Sequence, residues 1–233
     1  MMGLLWCLFA HAGPVADGAV AFEDGRLDEA VATWEDALGG APSGVLLYNL
    51  GTAWYRKGDP PRAVAYLRAA QRLRPRDGSV HHNLALARSE LDRVPPPAEG
   101  PVAWSLVITP GELGLLGVVL AGLGSLLLAG GVRQRSWTGA GALSWGLGIA
   151  IGTTAAVGAY RMDAHPIGVV VDAAVSLRDA ASLQGRPRHE LPVGSEVRVE
   201  RRYGGFLLVE DGRGRRGWVA DGGVVVPGLA DGS

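Results

Sequence analysis

Leu113–Val132, LGLLGVVLAGLGSLLLAGGV, and Trp137–Tyr160, WTGAGALSWGLGIAIGTTAAVGAY, contain no charged residue. At a helical rise of about 1.5 Å per residue, each is long enough to cross a hydrocarbon layer of roughly 30 Å. The sequence therefore predicts two transmembrane helices, over 110–132 and 137–160. Thr109-Pro110-Gly111-Glu112 reads as the start of the first, with Thr109 as cap, Pro110 in the first turn and Glu112 reaching back to the cap. Only Arg133-Gln134-Arg135-Ser136 lies between them, so residues 133–136 form a tight turn and the helices run antiparallel. The two arginines mark that turn as cytoplasmic. Trp104, Trp137 and Tyr160 suit the membrane interfaces. Glu112 and Arg161 bracket the apolar runs as boundary charges, and with no ionisable residue inside either run a transport pathway is disfavoured. Gly148-Ile149-Ala150-Ile151-Gly152 is a GxxxG, which serves either packing within the hairpin or self-association.

On the N-terminal side, residues 1–12, MMGLLWCLFAHA, combine an apolar core with the small-x-small triplet Ala10-His11-Ala12, the pattern of a cleaved signal peptide. Export followed by a hairpin places both flanking domains outside the cytoplasm. Trp6 stands where lipidation of Cys7 would require a small residue. Residues 13–94 repeat with a period of 33: Gly18, Gly25, Ala30, Ala37 and Pro42 return as Gly51, Gly58, Ala63, Ala70 and Pro75. In the second copy Asn49-Leu50-Gly51, Trp54, Gly58-Asp59, Ala63, Leu67, Ala70 and Pro75 resemble the tetratricopeptide repeat signature. Small residues let paired helices touch, Trp54 and Leu67 fill the gap, and Pro75 ends the second helix. A partial third copy from His82-Asn83-Leu84-Ala85 reads as the capping helix that a stack needs.

Charge is uneven along this stack. Residues 13–44 carry seven acids and one arginine, whereas residues 45–77 carry seven basic residues and two acids. Either these are solvated helix faces, or they form a groove for a charged peptide or neighbouring protein, with Trp54, Arg62, Arg68, Arg72, Arg74 and Arg76 as partner contacts. His81 and His82 adjoin on one helix and cannot both point one way, which argues against a metal site. Residues 95–109, opening with Pro95-Pro96-Pro97-Ala98-Glu99-Gly100-Pro101, read as a stiff linker.

Beyond the second apolar run the periodicity changes to two. Gly168–Val171, Glu196–Glu200, Gly205–Val209, Arg216–Val219 and Val224–Val226 read as five short strands of a small barrel, with His189-Glu190 in a solvent-facing turn. Val175-Ser176-Leu177-Arg178, Leu191–Val197, Gly205-Phe206 and Gly217-Trp218-Val219 resemble a bacterial SH3 domain over residues 167–226, followed by a disordered tail at 227–233. The resemblance implies a ligand cleft involving Phe206, where many relatives carry Trp, and cell-wall peptides or proteins as ligands. Trp218 is expected in the barrel core rather than on a ligand platform.

Composition narrows the function. The 22 basic and 23 acidic residues, with Lys57 the sole lysine, create no field that would gather nucleic acid. The 36 glycines and 14 prolines follow no three-residue register, which excludes collagen. One cysteine allows no internal disulfide and no CxxC metal or redox site. No phosphate-binding loop, Gly-x-Ser-x-Gly elbow or His-Glu-x-x-His occurs. Gly139-Ala140-Gly141-Ala142-Leu143-Ser144 opens an apolar helix without a preceding strand, unlike a dinucleotide loop. The expectation is a non-enzymatic protein with no cofactor or metal.

The fold class expected is multidomain: an all-α tetratricopeptide-repeat stack, a two-helix transmembrane hairpin and an all-β SH3-like small barrel. That order resembles the BatE-type proteins of the Bat aerotolerance operon. The resemblance implies an inner-membrane scaffold, membrane lipid around the hairpin, and as partners von Willebrand factor A domain membrane proteins and a MoxR-type ATPase, in oxygen tolerance or envelope stress. The alternative is a cell-wall-sensing receptor whose barrel binds peptidoglycan. An accessory to a wall-cutting enzyme is a third reading.

Overall fold

The computed structural model describes residues 13–39, 43–91, 110–131, 137–164 and 166–228. The expected signal at 1–12, the linker at 95–109, the turn at 133–136 and the end of the expected tail lie outside them. The chain forms two compact units. Among the described residues, one holds five short α-helices, a 3₁₀ turn at Asp221–Gly223 and seven strands, and the other holds two long helices.

The first unit begins with α1 (Pro14–Glu23), α2 (Leu27–Leu38), α3 (Gly44–Arg56), α4 (Pro60–Leu73) and α5 (Gly78–Ser89). Each helix packs on the next in sequence, as expected of an antiparallel stack. The 33-residue recurrence extends to individual hydrogen bonds. Gly25 and Gly58 both adopt φ +77°, the left-handed conformation that ends a helix without steric cost. The Gly25 N–H donates to Phe22 O at 3.1 Å and that of Arg26 to Ala21 O at 2.8 Å. One repeat later Gly58 donates to Tyr55 O and Asp59 to Trp54 O, both at 3.0 Å. Packing recurs too. A Cβ on Gly18 would stand 2.3 Å from the Trp34 indole, and one on Gly51 would stand 2.5 Å from Leu67 Cγ, with Trp34 and Leu67 themselves 33 residues apart. Asp59 and Asp77 cap α4 and α5 through their carboxylates.

The strands are β1 (Ile167–Val170), β2 (Ser176–Arg178), β3 (Pro187–Glu190), β4 (Glu196–Tyr203), β5 (Phe206–Asp211), β6 (Arg216–Ala220) and β7 (Val224–Val225). All pairings are antiparallel, in the order β3-β2-β6-β5-β4-β1-β7. The sequence reading of five strands omitted β2 as a strand and missed β3. His189 and Glu190 belong to β3, which is exposed along its length and therefore offers no apolar alternation to read. Gly204 and Gly205, both at positive φ, make the two-residue turn between β4 and β5. A register shift between Val199 and Arg201 bends β4, so that its first half pairs with both β1 and β5. Val170, Leu177, Val197, Val199, Leu207, Val209 and Val219 close one core beneath the curved sheet.

β1 is buried on both faces. Val170 enters the core of the sheet, while its neighbour Val169 packs with Ala63, Val64, Leu67 and Leu84 of the helical stack. Successive side chains of a strand point to opposite faces, so one β-strand joins two cores. The stack and the sheet, separated in sequence by the two long helices, therefore form a single packed body.

The second unit consists of α6 (Pro110–Gly131) and α7 (Trp137–Ala164), of 22 and 28 residues. Both are long and apolar enough to cross a membrane. Leu115, Val118, Leu126, Leu143 and Leu147 lie exposed along them. The helices meet through glycines spaced by seven. A Cβ on Gly124 would lie 2.6 Å from Trp145 N, and one on Gly148 would lie 2.6 Å from Ala121 N. A Cβ on Gly117 would lie 2.8 Å from Gly148 O and 2.9 Å from Gly152 N, so the GxxxG backbone touches the partner helix of the hairpin, although a Cβ on Gly152 itself would meet nothing within 4 Å. The Ser144 hydroxyl adds a hydrogen bond to Leu120 O at 2.8 Å.

Candidate functional site

The polar contact between stack and sheet centres on Glu196, the first residue of β4. Its side chain is 7% exposed. Arg68 of α4 donates from Nε to Glu196 Oε2 at 3.1 Å, and Arg88 of α5 donates to Oε1 of the same carboxylate. The apolar part of the contact is supplied by Val169 and Val225 against the helices. A paired carboxylate at a half-dry contact fixes orientation, because breaking the pair leaves a charge without water or partner.

The expected partner-contact residues occupy three different environments. Trp54 is half-buried on α3, with Lys57 Nζ 4.3 Å and Arg62 Cζ 4.9 Å from its ring centroid. Arg62 also bonds the cap carboxylate of Asp59 at 2.5 Å. Arg74 bridges to Asp77 at 2.5 Å and lies over Gly44. Arg68, read from the sequence as a contact for an outside partner, is engaged inside the chain by Glu196 and Gln71. Arg72 lies in α4, and Arg76 is exposed in the turn after it. The charge asymmetry of the stack is partly used between its own repeats: Lys57 pairs with Asp28, and the Tyr66 hydroxyl donates to Glu35 at 2.8 Å.

Phe206 and Trp218 stand on the outward face of the sheet. Trp218 alternates with the buried Gly217 and Val219 and does not enter the core, contrary to the sequence expectation. Gly217 explains the error. A Cβ there would sit 2.8 Å from Leu177 Cβ, so β6 presses its glycine against β2 and turns the following indole away from the core. The Tyr203 ring meets Trp218 edge-on at 6.4 Å, and Tyr203 is itself 68% exposed. Cross-strand register puts Arg178, Trp218, Leu208 and Arg201 in one row. The result is a small aromatic face flanked by two arginines.

A hollow of about 20 Å³ beside Leu191, Ser195 and Asp211 has room for little more than one water. Asp211 accepts backbone N–H bonds from Arg213 and Arg215, each at 2.9 Å. Burial works against its ionisation, but these bonds and the Arg215 guanidinium hold its carboxyl below the ordinary aspartate range. Asp211 thus organises the β5–β6 turn. Among the described residues, no three His, Cys, Asp or Glu side chains lie close enough to hold a metal ion.

Glu196, Arg88, Val169, Val225 and Tyr203 were not singled out from the sequence. One signal was present: Val169-Val170-Val171 is a continuous apolar run, the mark of a strand covered on both faces rather than one. Neither the protein-family models nor the curated proteins contain a match to this chain.

Proposed function

We propose that this chain is a non-enzymatic membrane scaffold whose helical stack and sheet recruit proteins in a shared compartment outside the cytoplasm. The docking of Val169 and Glu196 onto the stack carries the reading. Two lobes that pack together must lie on one side of a membrane. The two membrane-length helices between them in sequence supply the even number of crossings this requires. The arginines at 133 and 135 favour the cytoplasm for the intervening turn.

The 33-residue recurrence of Gly18 with Gly51, Gly25 with Gly58 and Trp34 with Leu67 supports reading residues 13–94 as two tetratricopeptide repeats and a capping helix. The small, curved antiparallel sheet around one core supports an SH3-like barrel at 167–226. The order of these segments favours a BatE-type role, with von Willebrand factor A domain membrane proteins and a MoxR-type ATPase as partners. The outward Tyr203–Trp218 face favours a second reading, a receptor that binds peptidoglycan.

Single cysteines at Val20→Cys and Leu183→Cys in a Cys7→Ser background test the topology, since both positions are exposed. The expected result is labelling of both by an impermeant thiol reagent from the same, outer side. Labelling from opposite sides overturns the scaffold topology. For the solubilised full chain, co-purification of von Willebrand factor A domain proteins supports recruitment, whereas retention on purified cell wall supports the receptor.

A further inference from the structure

A line of hydrogen bonds runs from the contact between stack and sheet to a histidine. His81 Nε2 lies 2.7 Å from Pro75 O, and a carbonyl only accepts, so Nε2 carries the proton. In the neutral ring Nδ1 is then an acceptor, and Gln71 Nε2 donates to it at 3.0 Å. That orientation turns the amide oxygen of Gln71 towards Arg68, which donates to it from NH1. The Nε of the same guanidinium donates to Glu196 of the sheet. Every donor and acceptor in this line has a consistent sense, and Gln71 is only 7% exposed, which leaves water little room to substitute.

A second proton on His81 would make Nδ1 a donor facing the amide N–H. Gln71 could satisfy it only by turning its oxygen round, and its NH₂ would then face the Arg68 guanidinium, donor against donor. While the sheet is docked, Arg68 is pinned at both ends and the amide cannot turn without breaking a bond. With the sheet released, Arg68 is free to swing into water and Gln71 can rotate. We propose that the contact between sheet and stack is proton-sensitive: protonation of His81, relayed by Gln71, frees Arg68 from Glu196 and loosens the docking.

The surrounding charges support this direction. On α4 the cations are Arg62, paired with Asp59, and Arg68 and Arg72; Arg74 caps its C-terminus and Arg76 follows in the turn. On α5, His82 adjoins and Arg88 shares Glu196. The acids at hand are already engaged. Asp77 is held by Arg74 and by the N–H groups of Ser79 and Val80, and Glu196 is held by two arginines. Added positive charge on His81 therefore meets a basic surface. By linkage, docking is strongest where the imidazole is neutral and weakens where it holds a second proton.

The test uses the full chain in detergent, with spin labels at Val20→Cys and Leu183→Cys in the Cys7→Ser background. The distance distribution is compared between about pH 7.5 and pH 5.5, a range in which ordinary carboxylates stay ionised. The docked population is expected to fall several-fold in the otherwise native chain. Gln71→Glu offers oxygens to both Arg68 and a protonated His81, so it should stay docked throughout. His81→Gln, which cannot titrate, gives the same readout should Gln71→Glu fail to fold. His82→Gln should respond like the parent. An unchanged parent distribution, opening of either protected variant, or loss of the response in His82→Gln would overturn the proposal.

Discussion

Asp211 shows how one side chain organises a turn. Its carboxylate collects two N–H groups and a guanidinium at the point where β5 leaves the sheet. Because its folded-state pKa lies below that of an unfolded aspartate, the stabilisation is complete above about pH 5 and fades as pH falls below about 4. The urea midpoint is therefore expected to drop in strong acid. Asp211→Asn should lose about 1–3 kcal/mol at neutral pH, because the buried N–H groups keep only one good acceptor. It should also show a shallower decline between pH 6 and pH 3, which urea titrations at both pH values will measure. Little of this was legible beforehand. Asp211-Gly212-Arg213-Gly214 announces a turn in sequence, but the backbone N–H groups converging on its carboxylate exist only once the turn has closed.

Among the elements, α6 and α7 combine a largely apolar exterior, whose Ser125, Thr153 and Thr154 hydroxyls bond their own helix backbones, with an interface rich in glycine. In lipid there would be no hydrophobic reason for two apolar helices to associate, and close backbone contact with the Ser144 hydrogen bond would hold them together. Gly124→Leu and Gly148→Leu are expected to splay the hairpin, because each new side chain would meet backbone atoms of the other helix, which cannot move aside. Gly146→Leu should be tolerated, since nothing lies within 4 Å of a Cβ there. Crosslinking of paired cysteines near Gly117 and Gly152 will separate the two outcomes. The helices themselves were legible from length and unbroken apolarity, except that α7 runs on to Ala164, past the expected end at residue 160 and through the charged Arg161 and Asp163. Which glycines face inward was not legible, since stripes with seven-residue spacing occur on more than one face: Gly139 and Gly146 are spaced like Gly141 and Gly148.

At the scale of the whole molecule, the decisive feature is a strand shared by two cores. Val169→Asp would place a carboxylate among Ala63, Val64 and Leu67 and beside its cross-strand partner Glu196, which already engages Arg68 and Arg88. It is expected to separate the sheet from the stack while leaving the helical content intact. Circular dichroism should change little, and the distance between labels on the two lobes should broaden. A correlated loss of helix would show that the stack depends on the sheet for its own stability.

The sequence by itself determined the local and periodic features. The 33-residue repeat recurs because the same turn and the same close helix contact recur, and the apolar runs are specified by composition alone. Alternating residues specified most of the strands. Only the tertiary structure decided that Arg68 faces Glu196, that Trp218 points outward, and that stack and sheet make one body. The docking of stack and sheet joins positions 102 to 128 residues apart, Arg68 with Glu196 and Val169 with Ala63 and Leu67, and no short-range pattern encodes such a meeting. It follows from two partly covered apolar surfaces finding each other once each lobe has folded.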